Sequence, residues 1–289
     1  MNIKLLNIQI IRIFKQKRFF TVGVFLLHFQ FCFSQNITNY AFSASSGTYT
    51  AISGSTQAIG AGVDDSPAAN ISIGFDFFYM GTGYTKFGVS SNGWMTLGSS
   101  LSSSSNANNL TSGGTRPVIA PLWDDLKTGA AGKVHYVLSG SSPNSVLTVE
   151  WKQMRWNYQG SDPCISFQVK LYETTGVIDF IYNQEANAPS SASASIGISA
   201  SATGSGNFLS LDGTGASPGV SSTTETTSLS ARPASGQTYT FTPPAGTTAP
   251  SAASYSCIGN TAMTLNWTNN GSNQVGTAIY KSKIGRAHV

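Results

Sequence analysis

ISIGFDFFYMGTGYTKFGVSSNGWMTL, residues 71–97, is the stretch whose reading decides the fold. Ile71, Ile73, Phe75, Phe77 and Tyr79 alternate with Ser72, Gly74, Asp76 and Phe78. Successive side chains of a strand point to opposite faces, so this is a strand with one strongly apolar side. Phe87-Gly88-Val89-Ser90-Ser91 and Trp94-Met95-Thr96-Leu97 then flank Asn92-Gly93. That dipeptide predicts a hairpin, because both central residues of a type I′ turn need positive φ. Outward from this core, further strands are expected at 133–139, 145–158, 164–173, 177–182, 194–200, 207–211 and 237–241. Glu173-Thr174-Thr175-Gly176 joins two of them as a hairpin. Gly/Ser/Asn/Pro clusters separate the strands, and no segment carries a helical period. About ten to twelve short strands over roughly 200 residues predict an all-β chain folded as a two-sheet antiparallel β-sandwich. Two stretches rich in Ser, Thr, Asn and Gly, 99–115 and 202–230, read as loops, the first a long surface loop.

The N-terminus reads differently. Lys4, Arg12, Lys15, Lys17 and Arg18 stand before the uncharged run FFTVGVFLLHFQFCF at 19–33. This run matches the apolar part of a signal peptide and is short for a membrane span, which needs about 20 residues. Cleavage is expected before Gln35, so 1–34 is a signal peptide and the mature chain is secreted, with no membrane insertion after cleavage. The whole chain carries +4, but five of its sixteen Lys and Arg lie in that segment; eleven remain against twelve acidic residues, about −1. No basic run survives to attract nucleic acid or an anionic membrane. At 10% charged residues, solubility must come from Ser, Thr, Asn and Gly. Cys164 and Cys257 fall in different expected domains, which favours two separate buried thiols over a disulfide. No zinc spacing is present.

Chemistry has little to work with. Of the three histidines, His28 lies in the signal and His288 in the last residues, leaving His135 without a second imidazole or cysteine near it in sequence. A metal or acid–base role for His135 is therefore not expected. Gly215-Ala216-Ser217-Pro218-Gly219 matches the G-x-S-x-G elbow, but it lacks the strand before and helix after that the motif requires. Asp124-Asp125, like Asp64-Asp65, concentrates acid. Adjacent aspartates most simply cap a turn by accepting backbone amides; a calcium site or a carboxylate pair for glycoside cleavage are the alternatives. In the long strand at 145–158, Leu147, Val149 and Trp151 share one face, whereas Met154, Trp156 and Tyr158 fall on the other. A bulge near Lys152-Gln153 would bring both sets to the core. Without it Trp156 and Tyr158 would form an exposed platform for sugars or proteins. No catalytic, cofactor-binding or metal residue is assigned, and the chain reads as no enzyme.

FDFFYMGTGYTKFGVSSNGWMTLG (75–98), RPVIAPLWDDL (116–126), GKVHYVL (132–138) and SFQVKLYETTGVIDFIYN (166–183) together resemble the nidogen-like extracellular domain. The wider span 40–241 resembles N-terminal β-domains of large secreted Bacteroidetes proteins, where pieces such as ASIGIS, GNFLSLDGTGASP and RPASGQTYTF recur. The resemblance implies a non-catalytic extracellular sandwich that makes matrix or surface contacts, with a sorting domain for type IX secretion further along. It implies no ligand residue by residue. APSAASYSCIGNTAMTLNWTNNG (249–271) resembles the opening of a fibronectin type III domain, with Trp267 at its core strand-B position. Such an immunoglobulin-like domain needs about 100 residues, so this one is expected to be incomplete. The final residues IGRAHV match the translation of a sequencing adapter and are expected to be foreign to the natural protein.

The expected organisation is therefore a signal peptide (1–34), a nidogen-like β-sandwich (35–242), a Pro/Thr linker (243–250), a partial fibronectin type III domain (251–283) and an adapter-derived tail (284–289). The expected function is surface adhesion or binding within a larger extracellular protein, its partner an extracellular protein or a polysaccharide surface. The alternative is a carbohydrate-binding accessory module of a secreted hydrolase.

Overall fold

The computed structural model describes residues 36–244 together with the strand residues 251–258 and 262–268. The expected signal peptide, residues 245–250 of the expected linker, and the tail 284–289 lie outside the described residues. Residues 35–244 form one compact unit.

That unit is a sandwich of two seven-stranded antiparallel sheets. The first runs, edge to edge, through β1 (Ala41–Ser46), β14 (Gln237–Thr242), β10 (Ile178–Gln184), β9 (Ile165–Tyr172), β8 (Val146–Trp156), β7 (Leu126–Ser139) and β2 (Thr56–Ile59). The second runs through β13 (Val220–Ser221), β12 (Phe208–Leu211), β11 (Ser195–Ser199), β6 (Val118–Trp123), β5 (Trp94–Leu97), β4 (Thr82–Ser90) and β3 (Pro67–Tyr79). No α-helix occurs among the described residues; a 3-10 turn at Ile37–Asn39 precedes β1. Separately, β15 (Ser251–Ile258) and β16 (Ala262–Thr268) pair as an antiparallel hairpin within the stretch expected to open a fibronectin type III domain.

Alternation places the core. Ile73, Phe75, Phe77 and Tyr79 of β3 all face inward and are buried, while Phe78 points out and is exposed. Leu147, Val149 and Trp151 of β8 join them from the other sheet, with Trp151 stacked on Phe167 at 5.3 Å between ring centroids. Aromatic side chains each bury a large area, so an interior built on twelve or so of them can fold without cross-links. A hairpin is present at Asn92-Gly93, with Ser90 opposite Trp94, but three residues connect the strands and Asn92 lacks the positive φ of Gly93, so the turn is not the expected type I′. Gly93 has φ of 75°, and a Cβ there would stand 1.8 Å from the Leu122 carbonyl oxygen, so both the turn and the neighbouring strand exclude any side chain.

The bulge expected near Lys152-Gln153 is also present. The β8 register shifts between Trp151 and Met154, and Gln153 takes φ of 51°. Trp156 and Met154 are consequently fully buried, but Tyr158, beyond the strand end, is 41% exposed. β6 was not foreseen, because Pro121 breaks an otherwise strand-like run. The structure accommodates it at an irregularity: β11 and β6 shift register between Gly197 and Ser195, where the missing amide is not needed. Strands β1, β2 and β13 were unforeseen too; all are edge strands.

Candidate functional site

Where β5 and β6 cross the second sheet, inward residues Met95, Ile119 and Leu122 belong to the main core. Their neighbours Trp94, Val118, Ala120 and Trp123 therefore face outward. On that outer face they form a second buried cluster with Leu101, Leu110 and Phe208. The loop at 99–116 makes this possible. Rather than standing free, it lies over the sheet and inserts Leu101 beside Gly88 and Leu110 beside Gly197, positions where a Cβ would meet the leucines at 2.9 and 2.8 Å. Both indoles donate to the Ser105 carbonyl oxygen, Trp94 at 3.0 Å and Trp123 at 2.8 Å, with ring centroids 5.0 Å apart.

Polar groups fasten the loop elsewhere. Asn108 Nδ2 donates to the carbonyl oxygens of Ser193 and Thr227. Glu225 accepts from the amides of Leu110 and Thr111. Arg116 donates to the carbonyl oxygens of Leu110 at 2.7 Å and Asn109 at 3.2 Å, and also to that of Ser112. Burial pulls the Arg116 guanidinium below its ordinary pKa, partly offset by the Glu225 charge. Between loop and sheet lies an open cleft of about 590 Å³, lined by Trp94, Ser102, Ser103, Asn109, Arg116 and Trp123 among others. Serine hydroxyls and the Asn109 carboxamide line it, beside a guanidinium and two indoles whose N–H groups are bonded to the loop.

One side of this region is acidic. The chain crosses from the first sheet to the second between β2 and β3, past Asp64 and Asp65. It crosses back between β6 and β7, past Asp124 and Asp125. The two crossings meet: Thr128 N donates to Val63 O at 3.0 Å, and the backbones of Asp64 and Lys127 pair as an isolated antiparallel β-bridge. The adjacent aspartates play separate parts. Asp124 is 5% exposed and its carboxylate accepts from Trp156 Nε1 (2.7 Å), Ser193 N (2.6 Å), Ser193 Oγ (3.1 Å) and Asp125 N (2.8 Å). Those donors occupy it fully, as turn capping requires, and they extend that capping into the core. Asp125 instead turns toward Asp64 and Asp65, with one oxygen from each within 4.8 Å of the others. Burial first, then the neighbouring acids, raise the Asp64 and Asp125 carboxyls above the ordinary range.

His135 lies on the outer face of the other sheet. It is 1% exposed, with Nδ1 at 2.6 Å from Ser55 Oγ and Nε2 at 2.5 Å from Glu150 Oε2. Ser, His and Glu are the residue types of a hydrolytic triad. Here, however, Glu150 Oε1 also accepts from Tyr49 OH (2.6 Å), Gln168 Nε2 (2.6 Å) and Ile52 N (3.3 Å). Burial alone would raise the Glu150 carboxyl, but the bonds from His135, Tyr49 and Gln168 together hold it below its ordinary value. The network straps the segment 47–55 onto β7, β8 and β9. Sequence order hid this, because Tyr49 and Glu150 are joined only by the fold. Ser217 of the G-x-S-x-G match sits in the loop between β12 and β13, away from any named strand. Cys164 is a buried free thiol.

A family model described as NIDO related matches residues 39–243. No curated protein and no solved structure matches the chain. No helix among the described residues is long and apolar enough to cross a membrane.

Proposed function

Because the chain belongs to the NIDO-related family, we propose that it serves as a secreted, non-catalytic adhesion module that grips an extracellular partner through the loop-built cleft over Trp94 and Trp123. The observation that carries this reading is the loop 99–116 itself. A low-complexity segment is anchored by two buried leucines and an arginine clamp, and so presents a shaped polar surface on a rigid sheet. The non-catalytic reading is supported by the bonding of the candidate groups: Asp124 is saturated by donors, and Glu150 with His135 fastens a strap. The expected signal peptide at 1–34 would deliver the module outside the cell, and the hairpin β15–β16 is in keeping with a following fibronectin type III domain in a larger protein.

A second reading, an accessory module that binds polysaccharide for a secreted hydrolase, draws on the serine hydroxyls of the cleft. It has no exposed indole to draw on, since Trp94, Trp123 and Trp156 are all buried. Beads coated with the full chain should attach to an extracellular matrix or polysaccharide surface, and Ser103→Arg, at an exposed position of the cleft, should abolish attachment. Attachment unaffected by Ser103→Arg would remove the cleft from the account. Binding on a glycan array, lost in the same variant, would favour the accessory module.

A further inference from the structure

We propose that Asp64, Asp65, Asp125 and Asn92 form a calcium-binding site where the two sheet crossings meet. The claim is independent of which partner the module grips. Calcium takes six to eight oxygens at about 2.3–2.6 Å, so its ligands must lie within roughly 5 Å of one another. One carboxylate oxygen from each of the three aspartates satisfies that spacing, at 4.8 Å or less. Acid clusters are common at protein surfaces, and proximity alone would not single this one out.

Asn92 does. Its side chain is fully buried, yet its Oδ1 has no hydrogen-bond partner, and its carboxamide lies on the cluster with Nδ2 2.8 Å from Asp65 Oδ1. Asp64 Oδ1 is likewise buried and unpartnered. Buried acceptors are nearly always satisfied. Two orphaned acceptors, one within the cluster and one on a carboxamide that bonds to it, call for a positive charge that no side-chain donor supplies. A carboxamide presents its oxygen or its nitrogen by a simple flip, so on ion binding Asn92 can exchange its Nδ2 bonds to Asp65 and Ser104 for an Oδ1 contact with the ion. The ligand set is entirely oxygen, which selects a hard cation over zinc or copper. The four residues come from a loop, a hairpin turn and a second loop. That adaptable arrangement fits calcium better than magnesium, which demands near-ideal octahedral geometry.

The sequence hid this site because Asp124 and Asp125 stand together but act apart, while Asp64 and Asp65 join only through the fold. Placement also gives the ion a task. Asn92 lies against Ser104, whose carbonyl oxygen is 3.3 Å from Nδ2, and Asn106 favours the charged form of Asp125. Ser104 and Asn106 both belong to the loop that roofs the Trp94–Trp123 cleft. An ion here ties that loop to the sheet crossings. Lys127, whose charge acts on Asp64, competes with the ion for that carboxylate.

Calorimetric titration of the chelator-stripped full chain with calcium chloride tests the assignment. One equivalent should bind with a dissociation constant in the range of about 10⁻⁴–10⁻³ M usual for extracellular modules. Asp65→Asn, at an exposed position that leaves the core intact, should weaken binding at least tenfold, and Asp125→Asn should do the same. Asp76→Asn, exposed on β3 outside the cluster, should change nothing. Lys127→Gln should tighten binding severalfold, an outcome that a misfolded variant could not mimic. No heat beyond dilution, equal affinity in wild type and Asp65→Asn, or magnesium binding as tightly as calcium would each overturn the proposal.

Discussion

Replacing Asp124 by alanine should be among the most damaging single changes to this sandwich, although the residue looks like one of a pair of surface acids. Asp124→Ala leaves the indole N–H of Trp156, a fully buried side chain, with no acceptor. An orphaned buried donor costs about 1–3 kcal/mol, and a hydrogen bond to a charged group contributes roughly 1.5–3. Water can replace the carboxylate at the more exposed Ser193 and Asp125 amides, and the buried charge itself is relieved, so a net loss of about 3 kcal/mol is expected. With a urea slope of about 2–3 kcal/mol/M, the unfolding midpoint of the full chain, followed by tryptophan fluorescence, should fall by about 1–1.5 M. The double variant Asp124→Ala/Trp156→Phe isolates the bond. Once the indole donor is gone there is nothing left to orphan, so the double loss should fall short of the sum of the singles by about 1–3 kcal/mol. Strict additivity, or a midpoint shift below about 0.3 M, would refute the reasoning. Asp124→Asn that kept its stability but lost calcium uptake would instead return Asp124 to the ligand shell.

Two further outcomes follow from the loops laid over the outer sheet faces. Leu110→Ala removes a fully buried anchor of the 99–116 loop and should cost about 2–4 kcal/mol locally; hydrogen exchange should speed up in 99–116 while β8 and β9 stay protected, and uniform acceleration would contradict a separate satellite cluster. The Glu150 network should weaken in acid. Its carboxyl is held below the ordinary value of 4.5, so its contribution is complete above that value and is lost as pH falls through the lowered one. Exchange at residues 47–55 should accordingly rise, relative to β9, between pH 6 and pH 3, and Glu150→Gln should flatten that dependence; an unchanged profile in the variant would show that Glu150 does not hold the strap.

The core strands were legible because alternation in 71–79 and the Asn92-Gly93 turn are local signals, each readable within ten residues. The bulge at Gln153 was legible for a related reason: two apolar sets of opposite parity on one strand can share a core only if the backbone slips between them. β6 was not legible, since Pro121 argues against a central strand until its partner's register is known. The stretch 99–115 was legible as a surface loop but not as an anchored one, for two leucines among serines and asparagines become anchors only when Gly88 and Gly197 supply their seats. The strap and the acid corner share one obstacle: Tyr49 with Glu150, and Asp64 with Asp125, are neighbours in space alone.

The first and last strands of the sandwich lie side by side and antiparallel, Ala41 opposite Thr242 and Ser46 opposite Gln237. The chain thus leads in and out at the same pole. Tension pulled through the flanking segments would, after drawing out the buried Ile37 and Tyr40, part this pair rung by rung like a zip, never loading all its hydrogen bonds at once. Loaded in that direction, the sandwich would yield to modest force and lengthen by the whole unravelled chain.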